Sequence, residues 1–419
     1  ESFIGGRSSS AIGLVEALVE AGDVDEAMCR ARIARGRALR RAARERGVTD
    51  RRQLEAFDAF LLARAQIERE AGDDWSLATD EQSRRRARRE DQRRAAREIL
   101  SSAFSPAEVV DSDCAALVPR ADDEALLLLL PTRDDTLVFT ASATGVRALR
   151  APELPQRPAD IDTWAQDLLH ELRPQLHGIA RLRVLPTGRT WSVPLHATML
   201  DGAPLVEHMA VAYGLDLPAT RVPELPDAPQ VLLVADPTGD LPHARTEQDD
   251  IARQLADTSW TLDVRAGTAT RRDDVLRRLA EVELFHYSGH GAHRGADGWD
   301  SALLLHGDAS IEVADILALP RVPRTVVLAG CDTGAVDASL FDGGMSLGRA
   351  FLLAGSDAVI VGDREIGDEV TARFGALLYA AAAEQIFVAP ELAVQGASRA
   401  LLAGGVPVSQ WSGFRVLVR

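Results

Sequence analysis

Lysine is absent from this chain: all 47 basic residues are arginine. A phosphate loop ending in Gly-Lys-Ser/Thr is thereby excluded, because such a loop needs the ammonium group to reach the phosphates. Cysteine is scarce as well, with three in 419 residues, at positions 29, 114 and 331. They form no Cys-x-x-Cys pair, and an odd count in a large chain predicts free thiols in a reducing compartment rather than a disulfide framework. Long hydrophobic runs are missing too. Runs such as ALLLLL at 125–130 fall far short of the roughly 20 residues that cross a bilayer, and the N-terminus lacks a basic-then-apolar signal pattern. The expectation is a cytoplasmic protein with no membrane partner. The chain opens on Glu1 rather than Met, which leaves room for an upstream domain.

What is present describes a globular protein: 46% hydrophobic and 26% charged residues over a length that allows two or three domains. The net charge is −16. Residues 1–100 are close to neutral, so the acidic excess lies in the remainder, where it would repel nucleic-acid phosphate. An arginine-rich stretch from Arg84, RRRARREDQRRAAREIL, is interspersed with Glu90, Asp91 and Glu98 and suits a solvated helix face better than a nucleic-acid arm. No direct nucleic-acid partner is expected.

Periodicity divides the chain. Up to about residue 105, apolar residues recur at helical spacing, such as Leu14, Ala17 and Leu18, then Leu54, Phe57, Phe60 and Leu61, and two helices are predicted around a Gly22-Asp23 turn. From 106 to 225 short apolar or alternating runs take over (ALLLLLP, TLVFTA, GVRALR), followed by an amphipathic helix near 161–172 and a strand, RLRVLP. From 226 onward strands and helices alternate: QVLLVAD, TLDVRA, ELFHYSG, ALLLHG, RTVVLAG, DAVIVGD and a closing GFRVLV, with helices between most of them. The fold class is α/β, a mostly parallel sheet covered by helices on both faces.

Three of the nine histidines, His286, His290 and His293, fall within ELFHYSGHGAHRG. Their spacing is compatible with metal ligands, with a glycine loop, or with one catalytic base and two bystanders. At a strand end successive side chains alternate faces, so His286 is expected to point into the sheet packing and away from His290. No cysteine pair or second histidine cluster completes a metal site, and neither metal nor cofactor is expected. Open parallel sheets carry their chemistry at the carboxyl ends of strands. Two such ends stand out, LFHYSGHG with His290 and VVLAGCDTG with Cys331. An imidazole can take the proton of a thiol and later return it to a leaving amine, while the small residues around both would admit a substrate backbone. Against this stands the common case of a cysteine that merely packs after an apolar strand.

The motifs FHYSGHG, SALLLHGDASIEVADILAL, RTVVLAGCDTG, GGMSLGRAFLLAGSDAVIVGDREIGDEVTARFGALLY and QWSGFRVLVR together resemble the CHAT family of caspase-like cysteine peptidases, related also to separase. The resemblance extends upstream through LRVLPTGRTWSVPLHATMLDGAPLVEHMAVAYG and VLLVADPTGDLPHARTEQDDIARQLA, so it covers about 110–419. DEAMCRARIARGRALRRAA resembles the linker helices that follow tetratricopeptide repeats in such proteins. The resemblance implies a helical adaptor at 1–105, a related non-catalytic α/β lobe at 106–225 and a catalytic lobe at 226–419. It implies His290 as base and acid, Cys331 as nucleophile, and the amides of Gly291 and Cys331 as oxyanion hole, with Asp332 and Asp363 at the substrate. The chain has Gly330 where basic-specific metacaspase-like relatives place an acid, and Gly362-Asp363-Arg364 where members often carry an aromatic residue. The implied function is a regulated bacterial endopeptidase acting on a protein substrate, such as a gasdermin-like effector in antiviral defence, under an upstream sensor, repeat domain or regulatory protein. The rival reading is a catalytically silent scaffold of the same fold.

Overall fold

The computed structural model of the protein describes residues 3–46, 59, 63, 78–85, 87–88, 91–92, 95, 119, 121–216, 224, 226–295, 298–336, 344–380 and 383–419. The chain divides into two compact units, one of residues 1–39 with 115–419 and one of residues 40–114. The predicted helices around Leu54, Phe57, Phe60 and Leu61 lie outside the described residues.

Helices span Phe3–Glu20 and Val24–Arg46, the second running past residue 39, and they are separated by Gly22 with φ of +79°. Asp25 and Glu26 occupy the first turn of the second helix, where carboxylates complement the helix dipole. These helices bury Val15, Ala27, Met28 and Ala31 in one core with Leu126, Leu128, Leu130, Leu137 and Phe139 of the sheet. Arg35, 3% exposed, donates to the carbonyl oxygens of Pro186 and Gly214 at 2.7 and 2.5 Å, and Arg32 pairs with Asp216 at 2.6 Å. A buried guanidinium needs such acceptors, so Arg35 ties its helix to the backbone beneath.

The sequence expectation of three free thiols holds for Cys331 but not for Cys29, which is disulfide-bonded. Because the cysteines stand far apart in the chain, spacing gave no sign of this bridge.

Sixteen strands are present among the described residues: β1 Glu124–Pro131, β2 Asp135–Ser142, β3 Gly145–Pro152, β4 Arg181–Leu185, β5 Met199–Leu200, β6 Ala203–Pro204, β7 Ala210–Gly214, β8 Gln230–Ala235, β9 Thr261–Ala266, β10 Leu284–Ser288, β11 Gly291–Ala292, β12 Ala302–Leu304, β13 Ser310–Glu312, β14 Thr325–Ala329, β15 Ala358–Gly362 and β16 Phe414–Val418. Eleven form one sheet in the order β3-β2-β1-β4-β7-β16-β15-β14-β10-β8-β9. Within this sheet antiparallel pairing is confined to β1 with β2, β2 with β3, and β15 with β16; its other neighbours run parallel. The mostly parallel sheet flanked by helices expected from the sequence is therefore the fold observed.

Central strands of a covered parallel sheet are buried on both faces and read as unbroken apolar runs. Strands β10, β14 and β15 are buried along their whole length. The final strand β16 inserts between β7 and β15, so strands from before and after residue 226 join in one sheet. On one face Val231, Leu233, Leu284, Val327 and Ile360 pack with Ile251, Phe374, Tyr379 and Leu401 from the helices Pro242–Leu255, Asp368–Ala380 and Pro390–Ala403. No helix among the described residues is long and apolar enough to cross a membrane.

Candidate active site

Strands β10 and β14 lie side by side in parallel, in a register that runs from Leu284 opposite Thr325 to Ser288 opposite Ala329. Two residues beyond that last pair stand His290 and Cys331, each past the carboxyl end of its strand. The intervening glycines let the two loops touch. A Cβ on Gly330 would fall 2.4 Å from the carbonyl oxygen of Gly289, and one on Gly291 would fall 2.3 Å from that of Cys331. Both are far inside van der Waals contact, so neither position admits a side chain without backbone movement. The Gly291 amide nitrogen would be 3.3 Å from the same Cβ on Gly330, which sets that amide beside the Gly330-Cys331 peptide.

Each loop is held from below. The carbonyl oxygen of His290 accepts from the amide of Leu304 and from the buried hydroxyl of Tyr287, both at 2.9 Å. After Cys331 the chain turns through Asp332, whose φ of +57° lies in the left-handed region that Asp tolerates better than most residues. Thr333, fully buried, then closes the turn. Its hydroxyl lies 3.1 Å from the carbonyl oxygens of both Leu328 and Gly330 and accepts from the amide of Gly362 at 3.1 Å, joining the ends of β14 and β15. Sequence reading passed over Thr333, although a hydroxyl residue two positions after a strand-end cysteine is a turn signal.

Cys331 is partly exposed and free, with its thiol 3.7 Å from the carbonyl oxygen of Ile366. The imidazole of His290 is 38% exposed, and its Nε2 lies 3.1 Å from Oδ1 of Asp240. Sequence reading had no means to find Asp240, which lies 50 positions upstream. The hydroxyl of Thr238 donates to the same Oδ1 at 2.6 Å. That bond, opposed by desolvation and aided by the imidazole contact, holds the Asp240 carboxyl below its ordinary value.

The other two histidines have separate surroundings. His286 is fully buried: Nδ1 is 2.9 Å from the hydroxyl of Tyr379, and Nε2 is 2.9 Å from Oε1 of Glu247 and 3.1 Å from the hydroxyl of Ser288. It belongs to the packing of β10 against the helices Pro242–Leu255 and Asp368–Ala380. His293 sits at the rim, its Nδ1 3.2 Å from the hydroxyl of Ser301. Among the described residues no group of three or more histidine, cysteine, aspartate or glutamate side chains could hold a metal ion.

Of the two acidic residues expected at the substrate, Asp332 directly follows Cys331. Burial raises its carboxyl above the ordinary value, opposed by His293 and reinforced by the charges of Glu365 and Asp363. Asp363 directly follows β15 and pairs with the buried Arg415, 2.7 Å from its Nε. Arg415 in turn donates to the carbonyl oxygen of Trp191 at 2.7 Å and lies over the ring of Tyr213. Asp363, Arg415, Trp191, Ala335, Val361 and Leu417 line a cavity of about 240 Å³ next to the turn that follows Cys331.

The CHAT domain family profile matches residues 160–419, more than half of the chain and inclusive of both strand ends. The chain belongs to the CHAT domain family. No curated protein matches this CHAT chain. Two crystal structures of the Saccharomyces cerevisiae separase-securin complex are similar to it in part. One has a TM-score of 0.42 at 13% identity, over 60% of this chain and 17% of that one. The other has a TM-score of 0.39 at 15% identity, over 63% and 18%. The CHAT chain thus spans less than a fifth of the length of those chains.

Proposed function

We propose that this CHAT protein is a cysteine endopeptidase in which Cys331 is the nucleophile and His290 the general base and acid. The observation that carries the reading is the register of β10 and β14, which brings a free, partly exposed thiol and a partly exposed imidazole level at two adjoining carboxyl strand ends. His290 takes the thiol proton as sulfur attacks the scissile carbonyl carbon. Negative charge develops on the carbonyl oxygen, where the amides of Gly291 and Cys331 are the donors of an oxyanion hole. The imidazolium then protonates the leaving amine, the C–N bond breaks, and a thioester remains on Cys331. Water, deprotonated by His290, hydrolyses it and restores the thiol.

In this reading Asp332, beside the nucleophile, contacts substrate, and Asp363 shapes the adjoining cavity through Arg415. Residues 226–419 form the catalytic part, 106–225 a related non-catalytic lobe and 1–105 a tetratricopeptide-linker-like adaptor. The substrate is a protein, of which a gasdermin-like effector in bacterial antiviral defence is one candidate, acted on in the cytoplasm under an upstream sensor or regulator. No direct nucleic-acid or membrane partner is invoked, and the acidic net charge of −16 supports the former.

Cleavage of a peptide library, with any regulatory partner supplied, tests the assignment. Cys331→Ala and His290→Ala should each remove nearly all cleavage, with the double variant scarcely worse, because the pair acts as a unit. His286→Ala should lose activity only in proportion to its folded fraction. Full cleavage by Cys331→Ala would overturn the peptidase reading in favour of the scaffold, and complete loss in well-folded His286→Ala would move the base away from His290.

A further inference from the structure

We propose that Asp240 is a positioning residue for His290, so that three neighbouring strand ends, those of β8, β10 and β14, carry Asp240, His290 and Cys331 as one proton relay. The inference rests on the peptidase reading above and adds a member to it. Its first support is the 3.1 Å contact between Asp240 Oδ1 and His290 Nε2. An imidazole that donates through Nε2 to a carboxylate is left with Nδ1 as the acceptor for the thiol proton, and the imidazolium that follows has an anion already beside it.

The second support is independent of that contact: the turn after β8 is built to present Asp240. Strand β8 pairs with β10 in parallel, Ala235 opposite Ser288, and the amide of the next residue, Asp236, donates to the carbonyl oxygen of Ser288 at 2.8 Å. Asp236 is 1% exposed and has a φ of +47°. Its Oδ1 accepts from the amides of Gly239 and Leu241, both at 2.9 Å, and its Oδ2 from Nε of Arg245 at 2.7 Å. The two amides that flank Asp240 are thereby anchored to one buried carboxylate. Thr238 then sets the Asp240 side chain itself, by the 2.6 Å bond to the oxygen that meets His290. An exposed aspartate in a loose turn has no use for such a frame. A carboxylate that must hold a ring in one tautomer and orientation does, since support from a neighbouring shell decides how well a reacting group is placed.

The test is the rate of alkylation of Cys331 by iodoacetamide, read site by site in the full chain across pH 5 to 9, in wild type, His290→Ala, Asp240→Ala, Asp240→Asn and Asp240→Glu. Asp240 is 65% exposed at its side chain, so these variants should fold. The expectation is that Asp240→Ala and Asp240→Asn slow the reaction at pH 7 on the order of 10–100-fold, in the range usual for loss of a carboxylate that orients an imidazole. The pH profile should move upward, because the thiolate-imidazolium pair loses its nearby anion, and Asp240→Glu should recover part of the rate. Slow alkylation in His290→Ala together with wild-type rate and profile in Asp240→Ala and Asp240→Asn would overturn the positioning role and leave the dyad standing. Equal rates in wild type and His290→Ala would overturn both.

Discussion

Replacing Gly375 by alanine sets helix propensity against packing, and the structure decides which wins. Gly375 lies inside the helix Asp368–Ala380 and is buried. By propensity alone, alanine there should stabilise by about 1 kcal/mol. The added Cβ, however, would fall 1.5 Å from Oε1 and 2.6 Å from Cδ of Glu247. Glu247 is 1% exposed, and its carboxylate is the hub of a buried network, 2.9 Å from His286 Nε2 and 2.6 Å from the hydroxyl of Ser288. To clear the methyl group the carboxylate must retreat by roughly 2 Å, a shift that no hydrogen bond survives. Losing the partners of a buried carboxylate costs about 3–5 kcal/mol, so the net effect is a destabilisation of about 2–4 kcal/mol. The comparison is Gly396→Ala in the helix Pro390–Ala403, where a Cβ meets nothing within 4 Å. That variant should gain about 0.5–1 kcal/mol by propensity. Urea unfolding followed by tryptophan fluorescence should therefore place the two midpoints on opposite sides of wild type. A Gly375→Ala protein at least as stable as wild type would refute the claim that Gly375 makes room for the Glu247 carboxylate.

Two further outcomes follow from packing and charge. Removing residues 1–39 uncovers Leu126, Leu128, Leu130, Leu137 and Phe139, so a fragment beginning near residue 106 should bind a hydrophobic dye and self-associate on size exclusion. A monodisperse fragment that leaves the dye dark would show that the sheet closes without those helices. For Asp332, the folded protein holds the proton more tightly than the unfolded chain does, so this group favours the folded state at acid pH and ceases to as pH rises through its raised value. Asp332→Asn should therefore be more stable than wild type at pH 7, with the advantage fading as the pH is lowered through the carboxylate range. A constant difference from pH 3 to pH 8 would count against burial as the cause.

Much of this protein is written locally along the chain. An apolar run such as ALLLLL is at home in the buried strand β1 because a covered sheet satisfies both its side chains and its backbone. The alternation after residue 226 forces a parallel sheet with connections over its faces, and a parallel sheet places His290 and Cys331 at the same end of it. The two helices around Gly22 were legible for the same reason, from spacing and a turn residue.

What the chain's order could not decide is which distant elements share a face or an edge. Nothing local to GFRVLV says that β16 runs antiparallel to β15 and docks on β7, because strand pairing is settled by which edge is left open once the rest has packed. Nothing local to ELFHYSG says that His286 meets Glu247 from one helix and Tyr379 from another. Asp363, expected at the substrate, is found against Arg415 of β16, while Asp240, which sequence reading did not single out, is found at the imidazole of His290. Sequence periodicity records the exposure of each residue to its own element's faces, a short-range property. The partners of a buried charge or a strand-end side chain depend on the order of strands in the sheet, and that order exists only once the chain has closed on itself.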